Sequence, residues 1–196
     1  MNNNRGIFLS AHIADIHFGA FNPKLQFELL TNQFLSKIYT VPGLNLISIN
    51  GDLFDHKLMG NSDAIYYASI FIDQLVKFVR ERGITLLLLH GTYSHDSDQL
   101  KLFYHYCEDT TVDVRIVNQI EFQQVGNCRV LCIPELYNVP DETYDLFLHR
   151  SYPFLLQIQR SCRREKQDHQ NRDISDKLQQ GEGMDFPFKF VYYGTN

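Results

Sequence analysis

No apolar run in this 196-residue chain approaches the roughly 20 residues that a membrane span needs, so no membrane partner is expected. The start, Met1-Asn2-Asn3-Asn4-Arg5, lacks the apolar core of a signal peptide, which argues against secretion and for a cytoplasmic protein. Cysteine is sparse: Cys107, Cys128, Cys132 and Cys162 show no Cys-x-x-Cys spacing, and strand-like Arg129-Val130-Leu131 holds Cys128 and Cys132 apart. Reduced thiols are the simplest account. The chain has no Gly-x-x-x-x-Gly-Lys phosphate loop, no Gly-x-Ser-x-Gly elbow and no internal repeat. Nucleotide-driven and serine-hydrolase chemistry therefore fall away.

Positive charge is short as well. Up to His149 there are 10 Lys and Arg against 17 Asp and Glu, a balance of −7; from Arg150 onward 8 stand against 6, or +2, and the whole chain carries −5. A duplex-binding surface usually needs clustered cations. The basic cluster that exists, Arg160, Arg163, Arg164 and Lys166, reads as a solvated helix end. Bound metal ions would add positive charge of their own, so the acidic balance does not exclude a nucleic-acid substrate.

What is present suits one globular domain over 1–196. The hydrophobic fraction is 44% and the charged fraction 21%, and the length is enough for a substantial core. Apolar runs of β type occupy Ile7 to Ile13, Leu44 to Ile49 and Ile84 to Leu89. Between them, Pro23 opens a helix on which Leu25, Leu29, Leu30, Phe34, Leu35 and Ile38 form a core stripe. A second helix is predicted from about Ser62 to Arg82, with Ile65, Ala68, Phe71, Ile72, Leu75, Val76 and Val79 inward and Gly83 as its stop. A short helix near Leu100 to Tyr106 precedes close strands at Val114 to Val117, Ile120 to Val125 and Arg129 to Ile133, with Gly126-Asn127 as a hairpin turn. Pro140-Asp141 opens a helix-like stretch to about Arg163. The polar segment 164–183 reads as a mobile connection or exposed helix, and Phe188 to Asn196 reads as a further strand, cut off at its exit.

Acids and histidines gather where three of these strands run out. Asp15-Ile16-His17, Gly51-Asp52-Leu53-Phe54-Asp55 and Ser94-His95-Asp96 each follow an apolar run, and the strand ends of open α/β sheets are where such proteins keep their chemistry. Taken singly, each is ordinary: Asp-x-His is commonly a turn or cap, Gly-Asp after a strand is equally common, and a lone His95 is a polar loop residue. Together, in this order, they read as a two-metal phosphoesterase site. Two divalent cations about 3.5–4 Å apart clamp a phosphate and acidify a water, and their repulsion requires an anion between them. Asp52 supplies such a carboxylate. In an extended Asp15-Ile16-His17, positions i and i+2 point to the same side and converge on one ion. Gly51 allows the sharp turn beside the bridging acid. Oxygen and nitrogen donors without thiolate favour manganese, with magnesium and iron as alternatives, over a closed zinc site.

Asp15-x-His17, Gly51-Asp52-x-x-Asp55 and His95-Asp96 resemble the motifs of the calcineurin-like metallophosphoesterase superfamily, and within it those of the SbcD-type DNA-repair nucleases and their phage relatives. The resemblance covers roughly Ile7 to Pro134. It implies an α/β sandwich of two mixed sheets flanked by helices, Asp15, His17 and Asp52 as metal ligands with Asp52 bridging, and His95 protonating the leaving oxygen or steadying the phosphate. Asp55 and Asp96 would orient His95 or support the shell. The activity implied is hydrolysis of phosphodiesters at DNA ends by an in-line attack. DNA and an SbcC-like ATPase subunit are the implied partners, and a homodimer is a further expectation.

Two departures matter. The family's third motif is Gly-Asn-His, whereas this chain reads Gly91-Thr92-Tyr93-Ser94-His95-Asp96. The hydroxyl of Ser94 or Thr92 is a weaker ligand than an amide oxygen, so loose binding of a second metal is expected. No Gly-His-x-His pair occurs either. His149, closing Leu146-Phe147-Leu148, is a candidate ligand or a surface histidine on a helix, and the missing histidines are expected beyond Asn196. Two other functions stay open: a phosphoesterase on small phosphodiesters or phosphoproteins, and a catalytically silent fragment or scaffold.

Overall fold

The computed structural model describes residues 7–134, 155–159 and 188–194. Four parallel strands, β1 (Ile7–Ile13), β2 (Leu46–Asn50), β3 (Thr85–Leu89) and β4 (Asp113–Val117), lie in the order β4-β3-β2-β1. Strand β8 (Phe188–Gly194) closes the far edge antiparallel to β1, from Ile7 opposite Gly194 to Ile13 opposite Phe188. A second sheet holds β5 (Glu121–Val125), β6 (Cys128–Ile133) and β7 (Leu155–Gln159), with β5 antiparallel and β7 parallel to β6. Both sheets are thus mixed, and helices complete an α/β fold.

Period-two alternation sorts the large sheet's side chains onto two cores. Leu9, Ala11 and Ile13 of β1, Ile47 and Ile49 of β2, and Leu86 and Leu88 of β3 face the helices. Phe8, Leu46, Leu87, Leu89 and Val117 are buried with Val125, Cys128, Val130 and Cys132 of the small sheet. The predicted β5–β6 hairpin is present, with Gly126 in the left-handed region at φ 55°.

The inter-sheet face also carries a buried polar chain on β1 and β2. His12 sits between Ser10 Oγ, 2.7 Å from its Nε2, and Ser48 Oγ, 2.6 Å from its Nδ1, and the Ser48 hydroxyl donates to Asn50 Oδ1 at 2.7 Å. Burial pushes the His12 pKa down from 6.5 to about 4, so the ring is neutral at pH 7.

Helix α3 (Asp63–Arg82) follows its sequence signals end to end. Ser62 caps it by accepting from Ile65 N, Gly83 ends it at φ 63°, and all seven predicted inward residues are buried. The earlier helix is more complex. Asn22 accepts from Leu25 N and Pro23 begins α1 (Pro23–Leu30), a π turn fills Thr31–Leu35, and α2 (Ser36–Thr40) follows. Leu25 is exposed, contrary to the predicted stripe, and Gln26 is buried in its place because its carboxamide donates to the carbonyl of Ile16. The wider π turn carries the buried face on to Phe34, Leu35 and Ile38.

Two other expectations need correction. The predicted helix near Leu100 begins as a 3₁₀ turn at Gln99–Phe103 before the single turn of α4 (Tyr104–Cys107). Within the helix-like stretch from Pro140 to Arg163, Leu155–Gln159 is strand β7. Its alternation of Leu156 and Ile158 with Gln157 and Gln159 has period two, which outweighs a helical reading of so short a run. The rest of that stretch, the segment 164–183 and Cys162 lie outside the described residues. Among the described residues no helix is long and apolar enough to cross a membrane.

Candidate metal centre

The three motifs leave neighbouring parallel strands at their C-terminal ends, where the sheet can no longer pair them. Backbone hydrogen bonds zip the first two loops together beyond that edge. Asp15 N donates to Gly51 O, His17 N to Asp52 O and Phe18 N to Leu53 O at 3.2, 2.9 and 2.8 Å, and Asp55 N returns to Phe18 O at 3.0 Å. Below them Phe18 and Phe54 are fully buried in the helix-side core. Gln26 adds its bond to Ile16 from α1, so the Asp15-Ile16-His17 loop is held from both sides.

That loop is not extended. Asp15 and His17 stand at φ 54° and 55°, and Asp52 follows Gly51 at φ 51° after 86° for the glycine. Asp15 and His17 therefore do not stand side by side through strand-like i, i+2 alternation: a left-handed residue at each position turns the chain, and the zipped amides hold it there. Such conformations cost about 1–2 kcal/mol each outside glycine and cluster at functional sites. Asp and His tolerate them better than most residues. Gly51 behaves as expected, turning the backbone beside Asp52.

His17, Asp52 and His95 each bring one ligand atom within 4.8 Å of the others. His17 Nε2 lies 3.9 Å from Asp52 Oδ2 and its Nδ1 lies 3.6 Å from Asp55 Oδ1, while its ring meets the His95 ring edge-on at 4.7 Å between centroids. Asp15 is at the same edge, half-buried, but outside this three-residue group. His149 lies outside the described residues.

The third motif braces the second. Asp96, fully buried, accepts from Asp52 N at 3.0 Å and Gly91 N at 2.7 Å through Oδ2, and from Phe54 N at 3.2 Å through Oδ1. Burial raises its pKa against the pull of the Phe54 and Gly91 amides, of His90 and of the Leu53 amide. Asp96 thus ties down the backbone amides of Asp52, Phe54 and Gly91. Asp55 acts on both histidines: its carboxylate faces His17, and its carbonyl accepts from His95 Nδ1. That bond leaves Nε2 as the nitrogen of His95 available to the site.

Of the two hydroxyls near the third motif, that of Thr92 turns to Asp52. Its N–H and Oγ1–H donate to Asp52 Oδ1 at 2.8 and 3.1 Å, which leaves Oδ2 toward His17. Ser94 is exposed and donates to Thr92 Oγ1 at 3.4 Å. Gly91 proves indispensable for space: a Cβ there would stand 2.2 Å from both the amide nitrogen and Oδ1 of Asp52.

Gln26, Thr92 as a cap on Asp52, and the packing of Gly91 were not found by sequence reasoning. Only Gly91, a glycine at a strand end, offered a signal. The group could hold a divalent cation: a fully buried carboxylate with one oxygen capped, the His17 imidazole and no thiolate, with the His95 ring within reach as a further donor or as a proton carrier. A buried carboxylate is costly without a compensating charge. No protein-family model matches the chain, and no curated protein matches it.

Proposed function

We propose that the chain is a metal-dependent phosphodiester hydrolase, most specifically an SbcD-like nuclease acting on DNA ends. The observation that carries this reading is the convergence of His17, Asp52 and His95 at the C-terminal edge of a parallel sheet, each from a different strand-end loop. Divalent cations held by His17 and Asp52, with Asp15 at the same edge, would supply the charge that clamps a phosphate and acidifies a water. Manganese is favoured, with magnesium and iron as alternatives.

The chain's own groups divide the remaining work. Thr92 fixes Asp52 Oδ1, so Oδ2 alone turns into the site. Asp55 steadies His17 with its carboxylate and His95 with its carbonyl. With Nδ1–H engaged by that carbonyl, His95 would act through Nε2: doubly protonated, the ring gives the Nε2 proton to the departing oxygen and is left neutral with its Nδ1–H, a contribution typically worth about 10²–10⁴-fold. An SbcC-like ATPase subunit is the proposed partner by the same resemblance, and a second copy of the chain is proposed beside it.

The test is hydrolysis of linear DNA and of a small chromogenic diester by the full chain with manganese. Asp52→Asn is expected to abolish turnover of both, and His95→Ala to lower it about 10²–10⁴-fold. Equal rates in chelator, or turnover indifferent to Asp52→Asn, would overturn the reading.

A further inference from the structure

A cleft of about 390 Å³ has Gly91, the residue packed against Asp52, in its lining. A Cβ on Gly91 would meet Asp52 at 2.2 Å, so this one residue links the cleft to the metal group. Tyr93, which also lines the cleft, precedes His95 by two residues, a span of at most about 7 Å.

The chemistry of the lining is aromatic and balanced in charge. Tyr93 and Tyr104 both face the cleft while remaining 64% and 41% exposed, and both phenols lie near the Lys101 ammonium. Lys101 is paired with Asp98 at 2.9 Å, so among the described lining residues the lysine is matched by a carboxylate. Ile116 adds an apolar surface and Asn118 an amide that both donates and accepts. An uncharged flat ring with a hydrogen-bonding edge matches this lining, whereas a phosphate does not.

We propose that this cleft is a nucleobase subsite, with Tyr93 and Tyr104 as stacking faces for an unpaired base of the substrate strand adjoining the scissile phosphate. The proposal rests on the phosphodiesterase reading above and narrows it to nucleic acid with an unstacked end. A paired interior base has no free face to offer, whereas aromatic stacking accepts any base of a single strand.

The test is the affinity of the full chain for a fluorescent single-stranded DNA octamer, measured by anisotropy in chelator so that hydrolysis and metal do not intervene. Tyr93→Ala and Tyr104→Ala should each weaken binding about 5- to 150-fold, the range of one lost stacking contact. Tyr93→Phe and Tyr104→Phe, which keep the ring, should retain wild-type affinity. An abasic octamer of equal length should bind wild type as weakly as the normal octamer binds the alanine variants. Equal binding of abasic and normal octamers, or alanine variants indistinguishable from wild type, overturns the subsite, and manganese-dependent cleavage of the small diester would then leave the hydrolase reading standing. Base-dependent binding without cleavage of any phosphodiester keeps the subsite and overturns the hydrolase reading.

Discussion

Along α3 every local signal agrees with the fold, from the Ser62 cap through the buried stripe to Gly83, whereas in the loops after β1 and β2 the backbone contradicts its residues. Asp15, His17 and Asp52 hold left-handed conformations that glycine would adopt at no steric cost. Helix α3 spends its residues on packing: Phe71, Ile72 and Leu75 are fully buried against the sheet. The loops instead hold acids and imidazoles in fixed positions, and Asp96, Gln26 and the zipped amides keep them there. Stability generated in the helix-side core offsets strain at the strand ends, a division expected where a site is pre-organised.

The comparison breaks if the two regions cannot be uncoupled. Phe71→Ala should remove about 3–5 kcal/mol of stability in denaturant unfolding. The molecules that stay folded should still bind manganese with wild-type affinity. Loss of metal binding from folded Phe71→Ala protein would show that core and site are one unit.

Gly91→Ala attacks the other side. Its Cβ would meet Asp52 at 2.2 Å, and overpacking of this kind typically costs about 1–3 kcal/mol. Here manganese binding should fail even where circular dichroism shows a folded chain. Normal metal binding by Gly91→Ala would mean that the third motif does not position Asp52.

The inter-sheet polar chain responds to pH rather than to packing. Because His12 titrates near 4 when folded against 6.5 when free, the unfolded chain binds more protons between those values. Stability should therefore be undiminished above pH 6.5 and fall by about 3 kcal/mol as pH drops to 4. Comparing wild type with His12→Gln isolates this window. An identical pH profile in the two would remove His12 as the cause.

The smallest effect sharpens the comparison. Ser97 is also left-handed, at φ 44°, yet it stands outside the metal group. Ser97→Gly relieves that strain at some cost in chain entropy, so a gain below about 1 kcal/mol is expected, read as a rise in melting temperature. A clear loss would show that this turn is not strained.

The same contrast explains what the sequence disclosed. Strands β1 to β6 and α3 were legible because periodicity and caps act locally, and the three motifs were legible because they sit where those strands stop. The left-handed backbone of Asp15, His17 and Asp52 carried no glycine to announce it. Asp96 was visible as a site residue, but its partners, the amides of Asp52, Phe54 and Gly91, lie up to 44 positions away. Gln26 was hidden in a helix whose stripe pointed to Leu25, and the period-two alternation of β7 was absorbed into a longer stretch read as helix.

The claim on which the rest depends is that Asp52 and its neighbours hold a divalent cation. Calorimetric titration of manganese into the full chain tests it without requiring any substrate. The account predicts saturable binding to wild type that Asp52→Asn abolishes while the variant keeps its fold. Titration heats that are absent from wild type, or unchanged in Asp52→Asn, would contradict it.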